Sequence, residues 1–117
     1  MSPEARAALE RARARLDRLS YYPRPVRTER VRMFTTPWLF RLPWFRRFAG
    51  YTVHGTILLR HPPGEASDDL VCHELCHVWQ LQHRPLAMPL SYLRTGYRRN
   101  PYEAEARRAA EETRTDG

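Results

Sequence analysis

The stretch Ser67–His83, SDDLVCHELCHVWQLQH, limits the possible folds of this chain more than any other. Ser67 is placed to cap a helix, Asp68 and Asp69 suit the positive end of its dipole, and Arg84-Pro85 stops it, so a helix over 68–83 is expected. At 100° per residue, Val71, Cys72, Leu75, Cys76, Val78 and Trp79 cover a broad apolar arc. Leu70 and Leu81 fall on the remaining side, next to His73, Glu74 and His77. Such a helix has almost no face to turn to water and must run through the middle of the fold. Two histidines and a glutamate are then buried among apolar groups. That arrangement is strongly unfavourable unless a cation compensates it.

The spacing says which cation. His73-Glu74-x-x-His77 is H-E-x-x-H, which puts two imidazoles on one helical face, about 6 Å apart. Neutral imidazoles suit Zn²⁺, and the glutamate between them can take a proton from a zinc-activated water rather than bind the metal. A hydrolytic zinc site takes a third protein ligand. By residue type, Glu103, Glu105, His54, His61, His83, Cys72 and Cys76 are all candidates. The cysteine pair lies about 100° around the helix from the histidine pair, so a four-ligand site from these residues is strained. Core packing as reduced thiols is the expected role of both cysteines.

The rest of the chain reads as a single domain over 1–117, since this length supports one core but not two lobes. Ser2 and Pro3 start an N-terminal helix over 1–20, with Leu9, Ala12, Leu16 and Leu19 as a narrow apolar stripe. Residues 26–60 form the sheet region, with strands expected at Val26–Phe34, Tyr51–His54 and Thr56–Arg60. Pro37 and Pro43 forbid one long helix in the aromatic segment 35–48, TTPWLFRLPWFRRF. That segment either wraps the core or offers Trp, Phe and Arg to a protein partner or membrane surface. A short helix is expected around 90–93. Asn100-Pro101 opens a C-terminal helix over 101–112, with Asn100 as N-cap and Glu103 at the capping-box position. The tail 113–117 is expected to fray.

All twenty basic residues are Arg, and the net charge is +7. Arginines occur in every segment, which favours compositional bias over a dedicated nucleic-acid patch, so nucleic acid is not the expected partner. No run is long and apolar enough for a transmembrane helix, and no secretory signal is visible, so a cytoplasmic location is expected.

HELCHVWQ followed by NPYEAEARR resembles the gluzincin pattern, in which H-E-x-x-H precedes a ligand glutamate within E-x-x-A on a later helix. It is also similar to small bacterial domains carrying H-E-x-x-H-x-x-Q. The resemblance spans roughly residues 50–110. It implies an α+β, minimal gluzincin-like zincin domain, with a small antiparallel sheet packed on the H-E-x-x-H helix and a C-terminal ligand helix. It implies Zn²⁺ held by His73, His77 and Glu103, with Glu74 as catalytic base, and hydrolysis of peptide bonds in a peptide or protein substrate. Tyr92, Tyr97 and Tyr102 are candidate oxyanion donors. Asp69 and Gln80 are candidates to support the ligands from behind. Arg107 follows Ala106, where many gluzincins carry an aspartate. By analogy, Thr56–Leu59 corresponds to the edge strand that aligns substrate. Two other functions compete: a zinc-stabilised interaction module without catalysis, and a basic domain that binds nucleic acid or a membrane surface.

Overall fold

A computed structural model describes residues 1–114; residues 115–117 of the tail lie outside the described residues. Among the described residues there are four helices, α1 (Pro3–Leu16), α2 (Asp68–His83), α3 (Ala87–Thr95) and α4 (Pro101–Glu112), and three strands, β1 (Arg32–Thr35), β2 (Gly50–Val53) and β3 (Thr56–Leu59). The fold is a compact α+β arrangement around α2.

Helix α2 occupies the centre that its composition demands. Val71, Cys72, Leu75, Cys76, Val78 and Trp79 are buried in the core. The Ser67 hydroxyl accepts from the Leu70 amide at 3.0 Å, capping the first turn. Helix α1 packs on α2 through Ala5, Ala8, Leu9, Ala12 and Leu16, the alanines permitting close approach. It starts at Ser2 and Pro3 as expected but ends at Leu16 rather than near residue 20, with Asp17 as its C-cap. Helix α4 packs on α2 through Ala106 and Ala109. The beginning of the tail is held in place. Thr113 is buried, its hydroxyl accepting from Arg15 at 3.0 Å, and Arg114 pairs with Asp69.

The sheet differs from the antiparallel one expected. Its order is β1-β3-β2, with β3 antiparallel to β2 but parallel to β1. β2 and β3 form a hairpin across His54-Gly55, where His54 takes a positive φ of 55°. Residues 36–49 carry the chain from β1 past the β3 position to the far edge, so β1 and β3 run the same way and the sheet is mixed. The first strand is also shorter than expected. Val26 and Val31 are buried, but a turn closed by the Val31 amide on the Thr28 carbonyl (3.1 Å) precedes the paired residues Arg32–Thr35.

The aromatic segment divides its side chains between core and solvent. Phe40 is buried, and Phe45 and Phe48 pack on Tyr51 of β2 at ring-centroid distances of 5.1 and 5.8 Å. The Arg60 guanidinium, at the end of β3, donates to the carbonyls of Phe40 and Arg46 and holds the segment on the sheet. Trp38, Leu42 and Trp44 remain exposed.

Candidate metal centre

Two helices bring the polar groups together. α2 contributes His73, Glu74 and His77, and the N-terminal turn of α4 contributes Glu103. One ligand atom from each of His73, His77 and Glu103 lies within 4.8 Å of the others, so the three could hold a metal ion. His73 Nε2 is 2.6 Å from Glu103 Oε1, and His77 Nε2 is 2.9 Å from Glu103 Oε2. Glu103 and His77 are buried; His73 is partly exposed. Asn100 caps α4, its side-chain oxygen accepting from the amides of Tyr102 and Glu103. The Glu103 carboxylate does not return that bond to the Asn100 amide, which donates to the Tyr97 carbonyl. It turns to the histidines instead, so the capping box is left half-made.

Four donors or potential donors surround the Glu103 carboxylate. Besides the imidazoles, Tyr92 Oη donates to Oε2 at 3.0 Å and Tyr97 Oη to Oε1 at 2.9 Å. Burial alone would raise the Glu103 pKa, but the bonds from His73 and His77 outweigh it and hold the carboxyl below its usual range. Tyr97 reaches the site because α3 ends at Gly96, whose φ of +71° turns the chain where other residues would be strained.

Gln80 fixes the tautomer of His77. Its amide NH₂ donates to the Tyr102 carbonyl at 2.8 Å and to Glu105 Oε1 at 3.2 Å, so its oxygen faces His77 Nδ1 at 2.8 Å. Nδ1 therefore carries the hydrogen. In neutral His77 the lone pair is on Nε2, aimed at a carboxylate oxygen that is itself an acceptor. Two acceptors 2.9 Å apart require a proton or a metal cation between them. Without a metal, burial lowers the His77 pKa, but the bond to Glu103 and the charge of Glu74 more than offset this, and the net shift is upward.

Glu74 lies one residue from the histidine face and points toward β2. The Thr52 hydroxyl donates to its Oε1 at 3.0 Å. Gly50 leaves room for it: a Cβ there would stand 3.2 Å from Glu74 Cγ and 3.4 Å from Oε2. Burial raises the Glu74 pKa against the opposing charges of His77 and His73.

Two cavities flank the cluster. One, of about 500 Å³, is lined by β2 residues Gly50–Val53, by Glu74, His77 and Glu103, and by Trp44, Phe45, Met88 and Tyr92. The other, of about 520 Å³, lies on the His73 side and includes Arg47, Asp69, Arg107 and Arg114. Phe48 and Tyr97 border both; their rings stand 4.8 Å apart with the Arg47 guanidinium over each.

Several residues singled out from the sequence lie elsewhere. Tyr102 contributes its carbonyl to Gln80 but does not line the first cavity; at the second position of α4 its side chain points about 100° away from Glu103. Asp69 does not contact the histidines. It binds Arg15 at 2.9 Å and Arg114 at 2.7 Å, clipping α2 to α1 and to the end of α4. Glu105 accepts from Tyr22 Oη at 2.6 Å as well as from Gln80. His83 stacks on Tyr22 and His61 lies on the second cavity, while His54 lines the first from the hairpin turn. Cys72 and Cys76 are buried free thiols in the core. β3, expected to be the edge strand, is the central one, and the open edge beside the cavity belongs to β2. The sequence does not mark Thr52 or Gly50 as site residues. Nothing in a four-residue strand shows that it will cross a glutamate on α2.

Comparison with protein families, with curated proteins and with solved structures returned no match.

Proposed function

We propose that this chain is a zinc-dependent peptidase in which His73, His77 and Glu103 hold the metal and Glu74 is the base. The observation that carries the proposal is the facing of His77 Nε2 and the Glu103 carboxylate, two acceptors whose protonation pattern is set by Gln80, with His73 closing the triangle. Two imidazoles and a carboxylate are a zinc donor set. Tetrahedral geometry with bonds of ~2.0–2.1 Å separates ligand atoms by about 3.3 Å. The present His–Glu103 separations of 2.6 and 2.9 Å, in a triangle whose ligand atoms all lie within 4.8 Å of one another, reach that value by small side-chain movements.

Zinc bound there would polarise a scissile carbonyl and acidify water. The protein's own groups supply the rest. Glu74 holds Oε1 against the Thr52 hydroxyl and keeps Oε2 available to accept a proton and return it to a leaving amine. Its raised pKa brings it closer to the range of an efficient general base. Tyr92 and Tyr97 stay protonated, since burial first and Glu103 second push both pKa values up, and each donates its one hydroxyl hydrogen to Glu103, holding that ligand in place. The outer edge of β2 offers unpaired main-chain groups along the cavity, suited to an extended peptide.

A peptide library digested with the zinc-loaded protein tests this. Glu74→Gln should keep the metal and lose cleavage by about 10²–10⁴-fold. Equal cleavage by both proteins, or none by the wild type, would overturn the peptidase reading; none with zinc retained would leave a zinc-stabilised interaction module.

A further inference from the structure

The arginines are spread along the chain, but the acids are not. Residues 30–64 hold six arginines and no acid, and residues 75–102 hold four arginines and no acid. Every Asp and Glu falls within 4–29, 65–74 or 103–116. The fold converts this into a charge asymmetry. The two acid-free stretches are the ones that flank the cavity, since Trp44, Val53 and His54 line it from one side and Met88, Pro89 and Tyr92 from the other. The ion pairs that arginines make among the described residues are those of Arg11, Arg13, Arg15, Arg108 and Arg114, all outside those stretches. Among the described residues, none of the ten arginines of those two stretches forms an ion pair with an acid.

The same two stretches carry most of the exposed large apolar side chains. Trp44 at the cavity wall is 77% exposed and Trp38 63%. α3 is amphipathic the wrong way round for a core helix. Met88 and Tyr92 face inward, while Leu86, Leu90 and Leu93, spaced four and three apart on one face, are 73%, 58% and 85% exposed. Leaving three leucines and two tryptophans in water is unfavourable unless another surface covers them. Arg94 lines a surface groove with Leu90 and Leu93, and Arg84, Arg98 and Arg99 flank α3 in the sequence.

We propose that the two acid-free stretches dock on an anionic lipid bilayer, with Trp44 and the Leu86/Leu90/Leu93 face of α3 in the interfacial layer and Arg94 and its neighbouring arginines on lipid phosphates. Tryptophan and leucine with flanking arginine is the composition of an interfacial helix or loop, and the absence of acid within these two stretches lowers the repulsion that anionic headgroups would otherwise impose. No helix of the described residues is long and apolar enough to cross a membrane, so the contact is peripheral. The docking itself does not depend on the peptidase reading.

Co-sedimentation of the full chain with vesicles tests the proposal. One set is phosphatidylcholine; the other is an equal mixture of phosphatidylcholine and phosphatidylglycerol. Binding to the anionic set, weakened by salt and accompanied by a blue shift of Trp emission that Trp44→Phe diminishes, is expected. Leu90→Ser with Leu93→Ser should lower affinity on the order of tenfold. Arg94→Ala and Arg98→Ala should each lower it about fivefold. These positions are exposed, and an unchanged unfolding midpoint confirms that the variants fold. Failure to bind anionic vesicles, equal binding to neutral ones, or binding indifferent to the leucines would overturn it. Retention on single-stranded RNA with no preference for vesicles would assign the arginines to nucleic acid instead. Because metal content and cleavage in solution are read separately, failure here leaves the zinc site untouched, and failure of the peptidase assay leaves the docking surface untouched.

Discussion

Replacing Gln80 by Leu isolates the positioning of one ligand from the ligand itself. Gln80 is fully buried between α2 and α4 and makes three contacts: it accepts from His77 Nδ1 and donates to the Tyr102 carbonyl and to Glu105. Leucine keeps much of the volume and removes all three. Glu105 retains the Tyr22 hydroxyl, and the Tyr102 carbonyl, in the first turn of α4, retains its helical bond. The group left without a partner is the His77 Nδ1–H. An orphaned buried donor costs about 1–3 kcal/mol, so the metal-free variant should lose about 2 kcal/mol in urea unfolding. Zinc affinity should fall further, because His77 can then rotate or change tautomer. Loss of such a supporting bond typically weakens metal binding about 10–100-fold. Competition against a chromophoric chelator measures that directly. A variant that loses stability but binds zinc as tightly as wild type would refute the claim that Gln80 orients His77 for a metal.

Other consequences follow from the same geometry. Gly50→Ala places a methyl 3.2 Å from Glu74 Cγ and 3.3 Å from Leu70 Cδ1. It should lower turnover while leaving zinc content unchanged, with a stability loss of about 1–2 kcal/mol from overpacking; unchanged turnover would mean that the Glu74 position is not critical. In the metal-free chain the His77 pKa is raised above its ordinary 6.5. Its contribution to stability is therefore fully present below 6.5 and is lost as pH rises through the folded value. Chelated protein should show a falling unfolding midpoint from neutral pH upward, and saturating zinc should raise and flatten that curve. A midpoint that rises over this range would contradict the assignment. Glu103 acts with the opposite sign. Its lowered pKa contributes stability above 4.5 that is lost as the pH falls further.

Helix α2 was legible to the residue, because its cap, its acids and its terminating proline agree with an apolar arc that leaves no solvated face. The start of α4 was equally plain from Asn100-Pro101. The sheet was less so. Its strands have four residues each, too short for alternation to fix a register, and the parallel pairing of β1 depends on the path of residues 36–49, which no local pattern encodes. Among site residues, those spaced along one helix could be read from the sequence. Thr52 and Gly50 could not, since their roles arise only where β2 crosses α2. Asp69 looked like support for a ligand because it sits one turn before His73, yet Arg15 and Arg114 draw it to the other side.

Metal content of the purified chain, measured by mass spectrometry beside His77→Ala and Glu103→Ala, tests the central claim most directly. The account predicts about one zinc per wild-type chain, consistent with a single three-ligand site, and its loss or marked weakening in both variants. A wild-type chain that takes up no zinc even on reconstitution would contradict it, and zinc kept in full by Glu103→Ala would remove Glu103 from the ligand set.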